Sequence, residues 1–190
     1  WMFDKGDLLS TSEQAATQSK VQAFPLHGWL GLGLIGIFWT LNWSLPGLRT
    51  HWVFFPLWLG YCLAIDGLVY QRRGTSLLMR SRNKYIGLFL VSAPAWWLFE
   101  LLNARLGNWH YQGAELFHPL NFFLWATLSF TTVIPAVFGS AELVSSFAFA
   151  QRLRRGPVVR PNRPTTLAFF TAGVAMLVLM IAFPRLFFPF

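Results

Sequence analysis

The residues best equipped for chemistry gather around Glu100. Trp96 lies four positions before it and Asn103 three after, so on a helix an indole, a carboxylate and an amide share one face. Trp109, His110 and Tyr111 follow in the next connection, then His118 and Asn121; His51 joins them if the chain runs as argued below. Carboxylates, imidazoles and phenols are the usual carriers of protons, two or three converging imidazoles or carboxylates hold a metal, and one imidazole near a helix end can ligate a pigment or haem. The spacing narrows this list. His51, His110 and His118 show neither an i, i+4 pair nor an HxxH pattern, which argues against a metal site, and the chain has no GxSxG elbow. The ligand-binding set read from sequence is Glu100, Asn103, Trp96, His110, Tyr111, His51, His118 and Asn121, with Glu100 the one catalytic acid if the protein is an enzyme. The alternative is an aromatic belt at a membrane surface, with Glu100 paired to Arg105 or to a donor on another span.

The elements that would position these residues are set by composition. The chain has 190 residues, 55% of them hydrophobic and 12% charged, with 20 Phe and 10 Trp; soluble domains carry roughly a quarter charged residues. Lipid can solvate such a chain, provided that every backbone group is paired within a helix or a closed barrel. The apolar segments are continuous runs, not the alternating segments of a barrel. The expected fold is therefore an all-α integral membrane protein with about five transmembrane helices: Phe24–Trp43, His51–Tyr70, Tyr85–Leu102, Pro119–Gly139 and Thr165–Phe183. The fourth can continue as a helix through "SAELVSSFAFAQRL". Pro56, Pro94 and Pro135 fall inside spans two to four, where each frees a carbonyl and favours a kink. Residues 1–23 read as a polar cytoplasmic arm without a signal-peptide layout, and 24–190 as the helical domain.

Orientation follows from the basic residues. Twelve Lys and Arg lie in the N-terminal arm and the second and fourth connections, against three (Arg49, Arg105, Arg185) on the opposite side. By the positive-inside rule the N-terminus is cytoplasmic, and five spans put the C-terminus outside. The pI of about 10.6 then reflects topology and contact with anionic lipid on the cytoplasmic face, not nucleic acid. The localisation this implies is the inner membrane. His51, His110 and His118 fall on the outer side and His27 on the inner.

The other carboxylates, Asp66 and Glu142, also sit near an interface, which argues against a relay through mid-bilayer. Asp66 is expected to pair with Arg72 or Arg73, and Glu142 to mark a solvated helix exit beside Ser140, Ser145 and Ser146. The single thiol, Cys62, reads as packing. The segment "FPRLFFPF" echoes "LPGLRTHWVFFPLW" after span one, which, with the opening Trp1, suggests a piece of a longer chain with repeated helix pairs.

The order of helix, acidic residue, Trp-x-aromatic loop, Pro-Leu and paired Phe resembles the small membrane lycopene cyclase domains. Glu100 would stand for their acidic residue, Trp109 and Tyr111 for the loop aromatics, and Pro119, Leu120, Phe122 and Phe123 for the helix opening. In that family paired carboxylates are implied to act on a polyene carbocation, whereas this chain has Asn121-Phe122 in their place. The resemblance therefore implies an isoprenoid-sized groove more than cyclase activity. Three readings stay open: a non-catalytic multi-pass subunit of a larger, photosynthetic or redox, membrane assembly, contacting lipid and other subunits and holding a carotenoid, chlorophyll-type pigment or quinone; an isoprenoid-modifying enzyme; and a transporter.

Overall fold

The computed structural model describes residues 22–47, 50–153 and 162–187, and every element among them is helical. The polar arm lies outside these residues except for its last two, where the Gln22 amide donates to the Gln71 carbonyl at 3.0 Å. The long helices are α1 (Leu26–Ser44), α2 (Thr50–Arg73), α4 (Arg82–Leu106), the pair α5 (Pro119–Phe130) and α6 (Val133–Ser145), and α8 (Arg163–Ala182). Short helices α3 (Leu77–Arg80) and α7 (Ala148–Leu153) lie in connections, and α9 (Pro184–Phe187) follows α8. Four segments are long and apolar enough to cross a membrane: His51–Arg73, Arg82–Leu106, Pro119–Ser145 and Arg163–Ala182. The 19-residue α1 is not among them, since His27, Asn42 and its glycines dilute its apolar content.

Side chains at the helix ends explain where each begins. Ser76 and Ser81 cap α3 and α4 by accepting the amides of Met79 and Lys84, and Asn162 caps α8 by accepting that of Thr165. Pro119 and Pro164 stand in the first turns of α5 and α8, where a missing N–H costs nothing. Gly107 ends α4 in the left-handed region at φ 64°, its amide returning to the Asn103 carbonyl.

α2 is the central helix. It packs against α1 on one side and against α5 and α6 on the other, while α4 covers the far side of α5 and α6. The α1–α2 contact is a backbone approach through small residues. A Cβ on Gly31 would sit 2.5 Å from the Ala64 amide nitrogen, and one on Gly67 would sit 2.7 Å from the Gly28 Cα. In lipid, where tails are as apolar as leucine, such close packing is a main source of helix association. α8 differs: its main neighbour among the described long helices is α4, and none of its apolar stretch is buried among the described residues.

Pro135 breaks the fourth span instead of bending it. Without an N–H it cannot serve the Thr131 carbonyl, and the helix opens at Thr131–Thr132. Ser92, fully buried on α4, closes the gap by donating to the Phe130 carbonyl and accepting the Ile134 amide at 3.0 Å. The Cys62 thiol donates to the Thr132 carbonyl at 3.7 Å, so its packing role includes a weak hydrogen bond. Pro56 and Pro94 lie inside unbroken helices. Past the fourth span the helix stops at Ser145, and a separate turn, α7, carries the extension.

The α1–α2 seam makes a testable demand. Gly31→Ala is expected to cost about 1–3 kcal/mol, because the new methyl meets backbone. Gly33→Ala, where nothing lies within 4 Å, should hold or raise stability. Thermal unfolding in detergent checks this, and equal melting of both variants would contradict the packing described.

Candidate functional site

At the C-terminal end of α4 two side chains organise the following loop. Asn103 Oδ1 accepts the amides of Asn108 and Trp109 at 2.9 and 3.0 Å, and its Nδ2 donates to the Trp109 carbonyl at 2.9 Å. Glu100, one turn earlier, accepts the Tyr111 hydroxyl, and the Trp109 indole N–H at 3.3 Å. The expected partner of Glu100 is thus corrected: among the described residues it makes no ion pair with Arg105 and takes donors from its own loop. The reason is reach. Arg105 follows Glu100 by five positions and leaves the helix on another face, while the turn at Gly107 and Gly113, both at positive φ, folds the loop aromatics back onto α4.

Burial, and then the bond to Glu100, push the Tyr111 hydroxyl above the ordinary phenol range. It is therefore protonated through neutral pH. A folded value raised above the unfolded one gives stability that is present below the ordinary phenol pKa and lost as pH rises through the raised value.

Beneath this loop lies a cavity of about 420 Å³. His51 and Phe54 of α2, Trp96 of α4, Tyr111, Gln112, Ala114 and Phe117 of the loop, and Phe122, Trp125, Ala126, Ser129, Phe130 and Val133 of α5–α6 line it. His51 is held edge-on between Phe117 and Trp125, with ring centroids 5.1 and 5.4 Å away. Trp96 packs on Phe130 at 5.9 Å, and Tyr111 on Phe122 at the same separation. Two ring nitrogens here, His51 Nδ1 and Trp96 Nε1, are buried without a hydrogen-bond partner. Trp96 comes near enough to favour the ionised form of Tyr111 slightly, yet the pair lacks hydrogen-bond alignment.

Of the residues singled out from sequence, His51, Trp96 and Tyr111 meet at this cavity. Glu100 stands behind Tyr111, and Asn103 clasps the loop. His110 and Asn121 are exposed. His118 caps α5, its Nδ1 accepting the Leu120 amide at 3.4 Å. Sequence reading missed Phe117 and the stripe Phe122, Trp125, Ser129 and Phe130, although their helical spacing from 122 to 130 marks one face. Among the described residues no group of three His, Cys, Asp or Glu side chains could hold a metal ion.

The opposite, basic end carries a second polar assembly. Asp66 is 2% exposed. Its Oδ2 accepts the Ser76 hydroxyl at 2.6 Å, and its Oδ1 accepts the Leu78 amide at 3.0 Å. His27 Nε2 lies 3.1 Å from Oδ2, close enough to attract the carboxylate when protonated but not aligned as a hydrogen bond. The expected pairing of Asp66 with Arg72 or Arg73 is therefore also corrected. Those arginines reach Ser146 and Ser145 at 2.7 and 3.0 Å, Arg72 also lying over the Phe147 ring. Asp66 instead faces inward on α2, where α3 folds over it. Glu142 likewise is not merely a solvated exit: it holds Arg80 through both oxygens at 2.6 and 3.0 Å.

Replacing Asp66 should expose its structural weight. Asp66→Ala orphans a buried hydroxyl and an amide and is expected to cost about 2–3 kcal/mol. Glu142→Ala, whose partner Arg80 is largely exposed, should cost under about 1 kcal/mol. Detergent melting curves rank the two, and the reverse order would refute the assignment. The chain matches no family model, no curated protein and no solved structure.

Proposed function

We propose that this chain is a multi-pass inner-membrane protein that holds a lipid-soluble molecule in the cavity under its outer loop, as a non-catalytic subunit of a larger membrane assembly. One observation carries the reading: a chain built for lipid keeps an aromatic-walled cavity of about 420 Å³ with no Lys, Arg, Asp or Glu in its lining. Such a space suits a ligand of the carotenoid, pigment or quinone kind.

The non-catalytic reading rests on what faces the cavity. Glu100 is not among its lining residues, and exposed Asn121 stands where the resemblance to lycopene cyclase domains asks for a carboxylate. A transporter reading finds a broken span in its favour. At that break, however, Ser92 bridges the Phe130 carbonyl and the Ile134 amide and Cys62 covers the Thr132 carbonyl, while the cavity under the loop is the larger space.

Five spans require α1 to cross as well. At 19 residues it reaches roughly 28 Å at 1.5 Å per residue, close to the hydrocarbon thickness of about 30 Å, and α2 covers its glycine face. The basic excess then puts the N-terminus and the Arg72–Lys84 connection in the cytoplasm. Reporter fusions after Gly74 and Gly107 should be active on the inner and outer side respectively, and the opposite pattern would sink the orientation.

The ligand itself is testable. Solvent extraction of the protein, purified in mild detergent, should release a lipid-soluble molecule in near-equal amount. Ala126→Trp, which fills the cavity from α5, should reduce that yield about tenfold or more. Identical extracts from both proteins would end the proposal.

A further inference from the structure

The walls of the cavity are held with unequal firmness. We infer that residues 114–130 form a hinged gate, which turns about Gly113 and the Thr131–Thr132 break, parts α5 from α2 and lets a lipid-soluble ligand enter sideways from the bilayer. This inference rests on the ligand-holding reading above and adds the route by which the cavity is filled.

Both ends of the segment are built to turn. Pro135 has no N–H for the Thr131 carbonyl, and the helix opens there into a turn. Gly113 stands at the other end at φ 84°, a conformation that glycine adopts at no steric cost. Domain and segment motions concentrate their changes of φ and ψ at a few such element-terminal residues. The flanking stretches stay fixed. Before Gly113 the loop is clasped to α4 through Asn103 and Glu100. After the break, α6 buries Pro135, Ala136 and Gly139, whereas α5 buries only Phe130, the residue beside the break.

The bonds across α5 choose the direction of opening. On the α4 side the Trp97 indole donates to the Thr127 hydroxyl at 3.0 Å, and Trp97 stacks on Phe123 with ring centroids 4.9 Å apart. Ser92 of α4, bonded on both sides of the break, is the pivot. On the α2 side no hydrogen bond joins α5 to α2 among the described residues. That seam is closed by His51, edge-on to Phe117 and Trp125. Edge-on rings part without leaving a hydrogen bond unmade, and in lipid no hydrophobic driving force holds apolar faces together. The segment therefore swings from α2 while staying attached to α4. Trp125, which closes the seam, is itself exposed, so the opening gives onto lipid. Entry from the loop side would instead break the bonds that hold Trp109 and Tyr111 to Glu100.

The test uses the full chain in lipid nanodiscs, with nitroxide labels on exposed positions. Trp58→Cys with Leu124→Cys spans the seam, and Trp58→Cys with Val137→Cys gives the anchored reference on α6. Cys62 is buried, and the parent chain serves as the labelling blank. Electron–electron distance measurements should give a distribution across the seam about twice as wide as the reference or wider. Pro135→Ala, which returns an N–H to the Thr131 carbonyl, should narrow it toward the reference. Should that variant fold poorly, the two distributions with Pro135 in place decide alone. Equal widths would overturn the gate. Decylbenzene, its binding measured by partition against empty nanodiscs, should gather the seam distribution at its shorter distances. Bound decylbenzene with an unchanged distribution would overturn α5 as the door of the cavity. No binding, with the seam distribution still wide, would count against the ligand-holding reading while the hinge stands.

Discussion

A carboxylate buried beside a membrane surface is the constraint around which the basic end of this protein is arranged. Asp66 sits on an otherwise apolar helix with 2% of its surface exposed, where an unpaired charge would cost several kcal/mol. Its partners come from outside its own helix: the hydroxyl that caps α3, an amide in the first turn of α3, and the imidazole at the start of α1. Satisfying one charge therefore sets the entry of α1 and folds the connection between α2 and α4 back over the bundle. Arg80, carried at the end of that folded connection, then reaches Glu142 on α6, and Arg72 and Arg73 are left to reach the serines where α6 ends.

Deeper in the bundle the same rule works through neutral groups. Glycines let α1 and α2 approach until backbone meets backbone. At the proline break, a serine on α4 bonds on both sides of the gap and a cysteine on α2 takes a carbonyl within it. A break in hydrocarbon persists only where protein neighbours re-satisfy the backbone. Because those neighbours are on α2 and α4, the broken span also ties the two helices together.

The sequence made the helical, membrane-embedded class legible because apolar runs and charge depletion are one-dimensional signals. The four apolar spans could be read the same way. Pairing was less legible. Asp66 lies nearer in sequence to Arg72 and Arg73 than to Ser76 or His27, and only the fold of α3 reverses that order. Glu100 shows the same limit at the other end, since a glycine-bounded loop, and not helix periodicity, brings Tyr111 and Trp109 to it. The α1 segment was read as a span from its apolar run, yet the glycines that pack it against α2 keep its apolarity below that of the four spans.

The two ends of the bundle differ in a way that bears on function. At the basic end the buried carboxylate is bonded on both oxygens and held by elements on several sides. The cavity at the other end differs: its wall is aromatic, and its loop is clasped by Asn103 and Glu100. The loop's hydrogen bonds are spent on fixing Trp109 and Tyr111, so the cavity's shape is preset before anything enters it. A preset aromatic space loses little entropy on binding.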